Sequence, residues 1–119
     1  MHSFKDLKVW ERAIELTALI YRSTKEFPKE EKFGLISQIR RSAVSVPSNI
    51  AEGAGRNTDG EFKQFLGIAK GSLYELETLL IISNKINLMS KNEYKELVSL
   101  IEEISKMISG LKKSLNKHE

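Results

Sequence analysis

The stretch from Gln38 to Arg56 constrains the fold of this chain more than any other. It reads QIRRSAVSVPSNIAEGAGR, in which apolar residues recur at helical spacing among many small side chains. The apolar residues are Ile39, Ala43, Val46 and Ile50. Because small side chains let a second helix approach closely, the pattern predicts a helix that packs tightly against a neighbour.

Pro47 interrupts this stretch and leaves two interpretations. A proline inside a helix removes the hydrogen bond to the carbonyl four residues earlier, here Ala43, and bends the helix. The alternative is two shorter helices broken at Val46. Because the apolar repeat keeps its phase across the proline, we favour one bent helix that runs from residue 29 or 30 to Gly55.

The first helix is predicted from about Asp6 to Lys25. Asp6 can cap its free amide groups, and apolar residues follow at spacings of three and four. These residues are Val9, Trp10, Ala13, Ile14, Thr17, Ile20 and Tyr21. The helix should end at Phe27–Pro28, because the residue before a proline disfavours helical backbone angles.

Two capping boxes open the third and fourth helices. Thr58 with Glu61 forms the first box, and Ser90 with Glu93 forms the second. In each box the hydroxyl caps the helix and the carboxylate three residues later reaches back to it. The third helix is predicted to extend to about Lys85, and the fourth to run almost to the end of the chain, where residues 116–119 should fray.

Short connections between these four helices place consecutive helices antiparallel. The predicted fold class is therefore all-α, an antiparallel up-down-up-down four-helix bundle whose second helix is bent near Pro47. A chain of 119 residues has the size of one domain. We expect residues 1–119 to form a single four-helix-bundle domain.

The composition excludes several classes of protein. With no cysteine, the chain can form neither disulfides nor thiolate zinc sites. The longest apolar run, Leu79–Ile82, is far too short to span a membrane, and the charged N-terminal residues do not fit a signal peptide. We therefore expect a cytoplasmic protein without a membrane segment.

Chemistry that depends on histidine is also not expected. His2 and His118 lie at the two ends of the chain, where residues are usually disordered. No Glu-x-x-His pair is present to build a di-metal site within the bundle. We expect no catalytic residue, metal, cofactor or small-molecule substrate.

Polar residues of the second and third helices flank the apolar stripe and are predicted to form a structural network. A buried charge without a partner costs several kcal/mol, so we expect an arginine of helix 2 to pair with a nearby carboxylate. The predicted network consists of Arg40, Arg41, Asn49, Glu52 and Glu75. The alternative is an active site in which Glu52 and Glu75 act as paired carboxylates.

The net charge is mildly positive, with 19 basic and 16 acidic residues and a formal charge of +3. Such a balance is typical of a mixed-charge, solvated surface, and dedicated nucleic-acid modules usually show a denser basic stripe. If RNA binds, the contacts must therefore be repeated across several subunits. The candidate nucleic-acid-binding residues are Arg56, Lys63, Lys70, Lys112, Lys113 and Lys117.

Three stretches resemble the four-helix-bundle proteins related to those encoded in 23S ribosomal RNA intervening sequences. They are Phe4–Tyr21, Phe27–Arg56 and Glu61–Ser83, which occur in the expected order and spacing. The string SVPSNIAEG in the second stretch is specific to this family. The resemblance implies an up-down bundle that assembles into homopentamers. The chain also resembles a related group of accessory proteins, and this resemblance implies an accessory role beside the reverse transcriptases of diversity-generating retroelements.

We therefore expect a non-enzymatic, oligomeric binding or scaffolding protein whose candidate partner is RNA, a ribonucleoprotein or a nucleic-acid-processing protein. A homo-oligomer is also expected because apolar residues spread around much of helix 1. These residues are Trp10, Leu16, Leu19 and Tyr21. Two alternatives remain open: a small hydrolase or nuclease that uses Glu52 and Glu75, and a purely structural oligomer without a ligand.

Overall fold

Four α-helices build the structure, a computed structural model that describes residues 1–116. They are α1 (Lys8–Thr24), α2 (Leu35–Ala54), α3 (Asp59–Lys85) and α4 (Lys91–Asn116). Short 3-10 helices precede α1 and α2, at Phe4–Asp6 and Lys29–Glu31. No strand occurs within residues 1–116, so the predicted all-α class is confirmed. None of the helices described combines the length and apolar character needed to cross a bilayer.

The helices are arranged in sequence order around a square. α1 packs against α2 and α4, and α3 packs against the same two helices. Contacts between α3 and α4 join Lys63 to Asn116 and Lys70 to Ser109, so these helices run in opposite directions. The predicted antiparallel four-helix bundle is confirmed, and it measures 47 × 23 × 20 Å.

The core lies along the axis of this square. Each helix contributes a stripe of leucine and isoleucine side chains that are fully buried. The largest of them include Leu16 and Ile20 of α1, Ile39 and Ile50 of α2, Phe62, Leu66 and Leu73 of α3, and Ile101 and Ile104 of α4. Burial of each such side chain contributes about 1.5–3 kcal/mol, so packing of the apolar stripes holds the helices together.

α2 is one helix that passes through Pro47 without interruption. The interpretation as a single helix is therefore correct, but its predicted start at residue 29 or 30 is wrong. Residues 29–31 form a separate 3-10 turn, and α2 begins only after Gly34, whose φ of −109° and ψ of −105° lie outside the helical region. Glycine adopts such angles at little cost because it has no Cβ.

α2 and α3 approach each other closely at Gly53. A Cβ at this position would lie 2.6 Å from Phe65 Cβ and 2.9 Å from Phe62 Cδ1. Only glycine therefore fits. Just beyond it, Thr58 Oγ1 accepts a hydrogen bond from the Glu61 amide at 3.1 Å, which confirms the predicted cap of α3.

The N-terminal residues are held against the corner between α2 and α3. The His2 amide donates to Ala54 O at 2.7 Å, and the His2 ring lies 5.0 Å from that of Phe62. His2 Nε2 lies 3.1 Å from Asp59 Oδ1. The expectation of a disordered His2 is therefore wrong, since these contacts fix it. Fraying was predicted for residues 116–119, but Asn116 is the last residue of α4 and accepts a hydrogen bond from Lys63. Residues 117–119, which include His118, lie outside the described residues.

Candidate nucleic-acid interface

Arg40, one member of the predicted polar network, pairs with no carboxylate of residues 1–116. Its Nε donates to Thr24 Oγ1 at 3.0 Å, and its Nη2 donates to the carbonyl of Tyr21 at 3.3 Å. The guanidinium also lies 4.5 Å from the centre of the Tyr21 ring. The predicted pairing is wrong because the last turn of α1 offers free carbonyl groups and the negative end of its dipole, which satisfy the arginine.

Glu52 lies on the surface and does not join a buried network. Its side chain is 57% exposed and accepts a hydrogen bond from Arg56 Nη2, one turn later, at 2.8 Å. A carboxylate in this position is solvated and needs no buried partner. The predicted contact of Glu52 with Arg40 or Arg41 is therefore wrong.

Asn49 does belong to a polar cluster, at the crossing of α2 and α3. Its Nδ2 donates to Ser45 O at 2.8 Å and lies 2.9 Å from Ser45 Oγ. Ser45 Oγ in turn shares a hydrogen bond with Ser72 Oγ at 2.8 Å. The two serines are small enough for the helices to come close, and their hydroxyls satisfy each other there.

Arg41 and Glu75 line one groove between α2 and α3, beside this serine pair. The groove has a volume of about 490 Å³. Neither residue forms an ion pair among residues 1–116. The two charges therefore face solvent across the groove, and the predicted structural pair between Arg41 and Glu75 is not made.

Glu52 and Glu75 are too far apart to act as paired carboxylates. Glu52 lies next to Gly53, which contacts Phe65 of α3, and Glu75 lies ten residues beyond Phe65. At the rise of an α-helix this separation is about 15 Å. The geometry therefore offers no shared carboxylate site for these two residues.

Three of the predicted nucleic-acid-binding lysines gather where α3 meets α4. Lys63 Nζ donates to Asn116 Oδ1 at 2.7 Å, and Lys70 Nζ donates to Ser109 Oγ at 2.5 Å. Lys112 of α4 extends toward α3, where its Nζ lies 3.8 Å from the point that a Cβ of Gly67 would occupy. We call Lys63, Lys70 and Lys112 the α3–α4 seam.

Within the seam, Lys63 and Lys70 each donate a hydrogen bond to a neutral side-chain oxygen. Lys70 and Lys112 form no ion pair with a carboxylate among the described residues, so both retain their charge for an external anion. Tyr74, one turn after Lys70 on the same helix, is 56% exposed. The seam therefore combines ammonium groups with an accessible aromatic ring.

The other three candidates differ from the seam. Arg56 is engaged by Glu52, and its guanidinium lies 4.7 Å from the centre of the Phe65 ring. Lys113 is exposed at the C-terminal end of α4. Lys117 lies outside the described residues. Arg56 thus already has both an ionic and an aromatic partner within the protein.

A second cationic surface, not anticipated from the sequence, lies where α1 meets the start of α2. Phe33 is 90% exposed there, in a groove of about 610 Å³. The groove is lined by Tyr21, Lys32, Phe33, Ile36, Arg40 and Arg41, among others, and we call it the Phe33 groove. The signal available in the sequence was that Phe33 belongs to no apolar stripe and stands between a lysine and a glycine.

Apolar surface is left uncovered on α1, where Ile14 and Tyr21 are 43% and 41% exposed, and more extensively on α3. On α1, Leu16 is fully buried, so it belongs to the bundle core. On α3, Ile68 and Ile82 are 52% and 43% exposed, and Ile86, just beyond the helix, is 52% exposed. Their spacing of 14 and four residues puts them on one face, which we call the outer face of α3.

An ion pair joins α1 to α4 on the remaining side of the bundle. Arg12 donates to Glu103 through Nε at 2.6 Å and Nη2 at 3.0 Å, and it also contacts Glu15. The hydrogen bonds with Arg12 hold the pKa of Glu103 below its ordinary value of 4.5, and those with Glu103 raise the pKa of Arg12. Because both partners are satisfied, this pair is structural.

Comparisons with known proteins agree with this architecture. Residues 5–110 match the model of a family described as 23S rRNA-intervening sequence protein. Among solved structures, the chain is similar to a protein of unknown function from the S23 ribosomal protein family of Bacteroides thetaiotaomicron. The two are 25% identical with a TM-score of 0.82, over 88% of this chain and 95% of the other. No curated protein matches the chain.

Proposed function

The chain belongs to the 23S rRNA-intervening sequence protein family, and we propose on this basis that it is a non-enzymatic homo-oligomer that binds RNA along the α3–α4 seam. The observation that carries the proposal is the alignment of Lys63, Lys70 and Lys112 on one edge of the bundle. A ribonucleic acid partner also fits a cytoplasmic location.

The seam suits a phosphate backbone better than a specific small ligand. The contact of Lys70 with Ser109 orients its side chain and leaves ammonium protons for phosphate oxygens, since an ammonium group has three. Phosphate contacts of this kind supply affinity without reading sequence. We therefore expect weak sequence preference and a steep dependence on salt.

Oligomerisation supports this function because one subunit carries a formal charge of only +3. Each further subunit adds another basic seam to the same assembly. The outer face of α3 is the surface best suited to a second copy, because three large isoleucine side chains are exposed on it and soluble monomers rarely leave such faces uncovered. Gly71 lies between Ile68 and Ile82 with open space around it, so a neighbouring helix can come close.

The test is a titration of structured RNA at two salt concentrations, followed by fluorescence anisotropy. The Lys70→Glu/Lys112→Glu variant should bind far more weakly than the unaltered protein. In the milder Lys→Ala pair, the slope of log affinity against log salt should fall by about one for each lysine removed. The control is Lys8→Glu/Lys95→Glu, which changes the net charge equally at exposed positions outside the seam.

Two results would overturn the proposal. If the unaltered protein binds no RNA at low salt, the protein is not an RNA-binding scaffold, and a purely structural oligomer becomes the better description. If the control variant loses as much affinity as the seam variant, binding follows net charge alone and the seam has no special part in it.

A further inference from the structure

Phe33 is an apolar residue whose side chain lies almost entirely in solvent. Its ring is 90% accessible, the highest value among the large apolar side chains described. Burial of an aromatic side chain removes about 150–250 Å² of surface from water. Almost none of the Phe33 surface is buried in this way. The structure gives it one close contact, with Lys32 Nζ at 5.5 Å from the centre of the ring.

The surroundings of Phe33 are cationic. Lys32, Arg40 and Arg41 line the Phe33 groove, whereas the Glu31 carboxylate lies beside it, with Oε2 3.8 Å from the point that a Cβ of Gly34 would occupy. Arg40 is already occupied by Thr24 and Tyr21. Lys32 and Arg41 form no ion pair among residues 1–116, so two unneutralised charges flank an exposed aromatic ring.

Charge and shape together select one kind of occupant. Three cations that line one groove fit a polyanion. The open face of Phe33 fits a flat ring, because a base can stack on an exposed face without entering a pocket. In a duplex the bases are already stacked on each other, so only an unpaired base can use this surface.

We propose that the Phe33 groove binds single-stranded RNA, with an unpaired base stacked on Phe33 and the adjoining phosphates on Lys32 and Arg41. This inference rests on the proposed function, since it takes RNA as the ligand, and adds a preference for unpaired segments. Arg41 also lines the groove beside Ser45 and Ser72. An RNA backbone bound at Arg41 can therefore continue from the Phe33 groove into this second groove.

The experiment uses an RNA with 2-aminopurine in a single-stranded tail and a blunt duplex of equal length. Stacking on Phe33 should change the 2-aminopurine fluorescence of the tailed RNA when the protein binds. Phe33→Ala should abolish this change and weaken tail binding by about five- to 160-fold, the factor expected for one lost stacking contact. Phe33→Trp should retain both, and duplex affinity should be the same in all three proteins.

Arg41→Gln gives a second measure that does not depend on the ring. It should weaken binding of the tailed RNA and lower its salt dependence, whereas Arg22→Gln, at an exposed arginine outside the groove, should change neither. Because Phe33 is exposed, Phe33→Ala should melt at the same temperature as the unaltered protein, so a loss of binding cannot be attributed to unfolding.

The outcomes separate this inference from the proposed function. If RNA binding depends on the seam lysines but Phe33→Ala leaves both the fluorescence change and the affinity unaltered, the groove inference is wrong and the proposed function stands. If a polyglutamate peptide of equal charge displaces the tailed RNA as well as unlabelled RNA does, the groove recognises charge alone and the inference is again wrong. If the unaltered protein binds neither RNA, both fail.

Discussion

Thr17 Oγ1 on α1 lies 3.2 Å from the carbonyl oxygen of Ala43 on α2. This carbonyl is the one that Pro47 leaves without its usual helical partner, because proline has no amide hydrogen. Ala43 is fully buried, so water cannot easily replace the missing donor. The same hydroxyl lies 2.8 Å from Ala13 O, and its single proton is shared between the two carbonyls.

Replacement of Thr17 by valine should therefore destabilise the protein by about 1–3 kcal/mol, the cost of a buried carbonyl left without a donor. Urea denaturation followed by circular dichroism measures this. In the Pro47→Ala background the amide of residue 47 is restored, so Thr17→Val should cost less there. The control is Thr78→Val, because the exposed Thr78 hydroxyl bonds only Tyr74 O in its own helix. Equal losses in both backgrounds would show that the hydroxyl does not compensate for the proline.

Two glycine-to-alanine substitutions should change the stability of the protein in opposite directions. Gly53→Ala places a methyl group 2.6 Å from Phe65 Cβ, and such overpacking costs about 1–3 kcal/mol. Gly110→Ala, at an exposed position of α4 outside the proposed interface, meets nothing within 4 Å, and alanine in an exposed helix is better than glycine by about 0.5–1 kcal/mol. Thermal melting of the two variants measures both effects. A stabilised Gly53→Ala would mean that α2 and α3 do not pack as closely as described.

The Arg12–Glu103 pair should contribute to stability in a pH-dependent way. Because the pKa of Glu103 is lowered in the folded state, its contribution is present above the unfolded value near 4.5 and is lost as the pH falls through the lower folded value. Glu103→Gln should therefore melt below the unaltered protein at neutral pH, and the difference should vanish in strong acid. The control is Glu102→Gln, an exposed neighbour without an ion pair in the described structure. A difference that persists in acid would indicate a packing effect instead.

Assembly through the outer face of α3 can be tested by light scattering. Ile68→Glu/Ile82→Glu places two charges where a second copy would pack, and should reduce an oligomer to the mass of one chain because burial of unpaired charges is costly. Ile14→Glu, at a comparably exposed isoleucine of α1, should leave the mass unchanged. If instead only Ile14→Glu dissociates the assembly, the interface is on α1. If the unaltered protein is monomeric at micromolar concentration, the proposal that it forms a homo-oligomer is wrong.

Periodicity was sufficient to predict the four helices, whereas capping located the starts of α3 and α4 but not that of α1. The predicted cap Asp6 lies in the short 3-10 helix, and α1 begins after Leu7, which makes no side-chain cap hydrogen bond. Thr58 and Ser90 cap their helices as their sequence positions require, and the unbroken phase of the repeat around Pro47 correctly indicated one helix. The start of α2 was wrong because the acidic residues after Pro28 suit a 3-10 turn as well as the first turn of an α-helix.

Partners across helices were harder to predict than the helices themselves. Arg40 and Arg41 are neighbours in sequence but about 100° apart around the helix, so a modest rotation of α2 decides which of them meets α1 and which faces α3. The hydrophobic repeat fixes that rotation too coarsely to assign side-chain contacts. Phe33 was overlooked for a related reason: an exposed aromatic residue outside every stripe contributes nothing to the periodicity on which the helix assignments depend.

The square order of the helices has a consequence for how RNA could be held. The α1–α2 side of the square, which carries Phe33, is opposite the α3–α4 side, which carries the seam lysines. The two surfaces also lie toward opposite ends of a molecule 47 Å long, since Phe33 precedes α2 whereas Lys63 lies in the first turns of α3. One short strand could not touch both, so a subunit that used both would link two separate RNA segments and act as a connector between them.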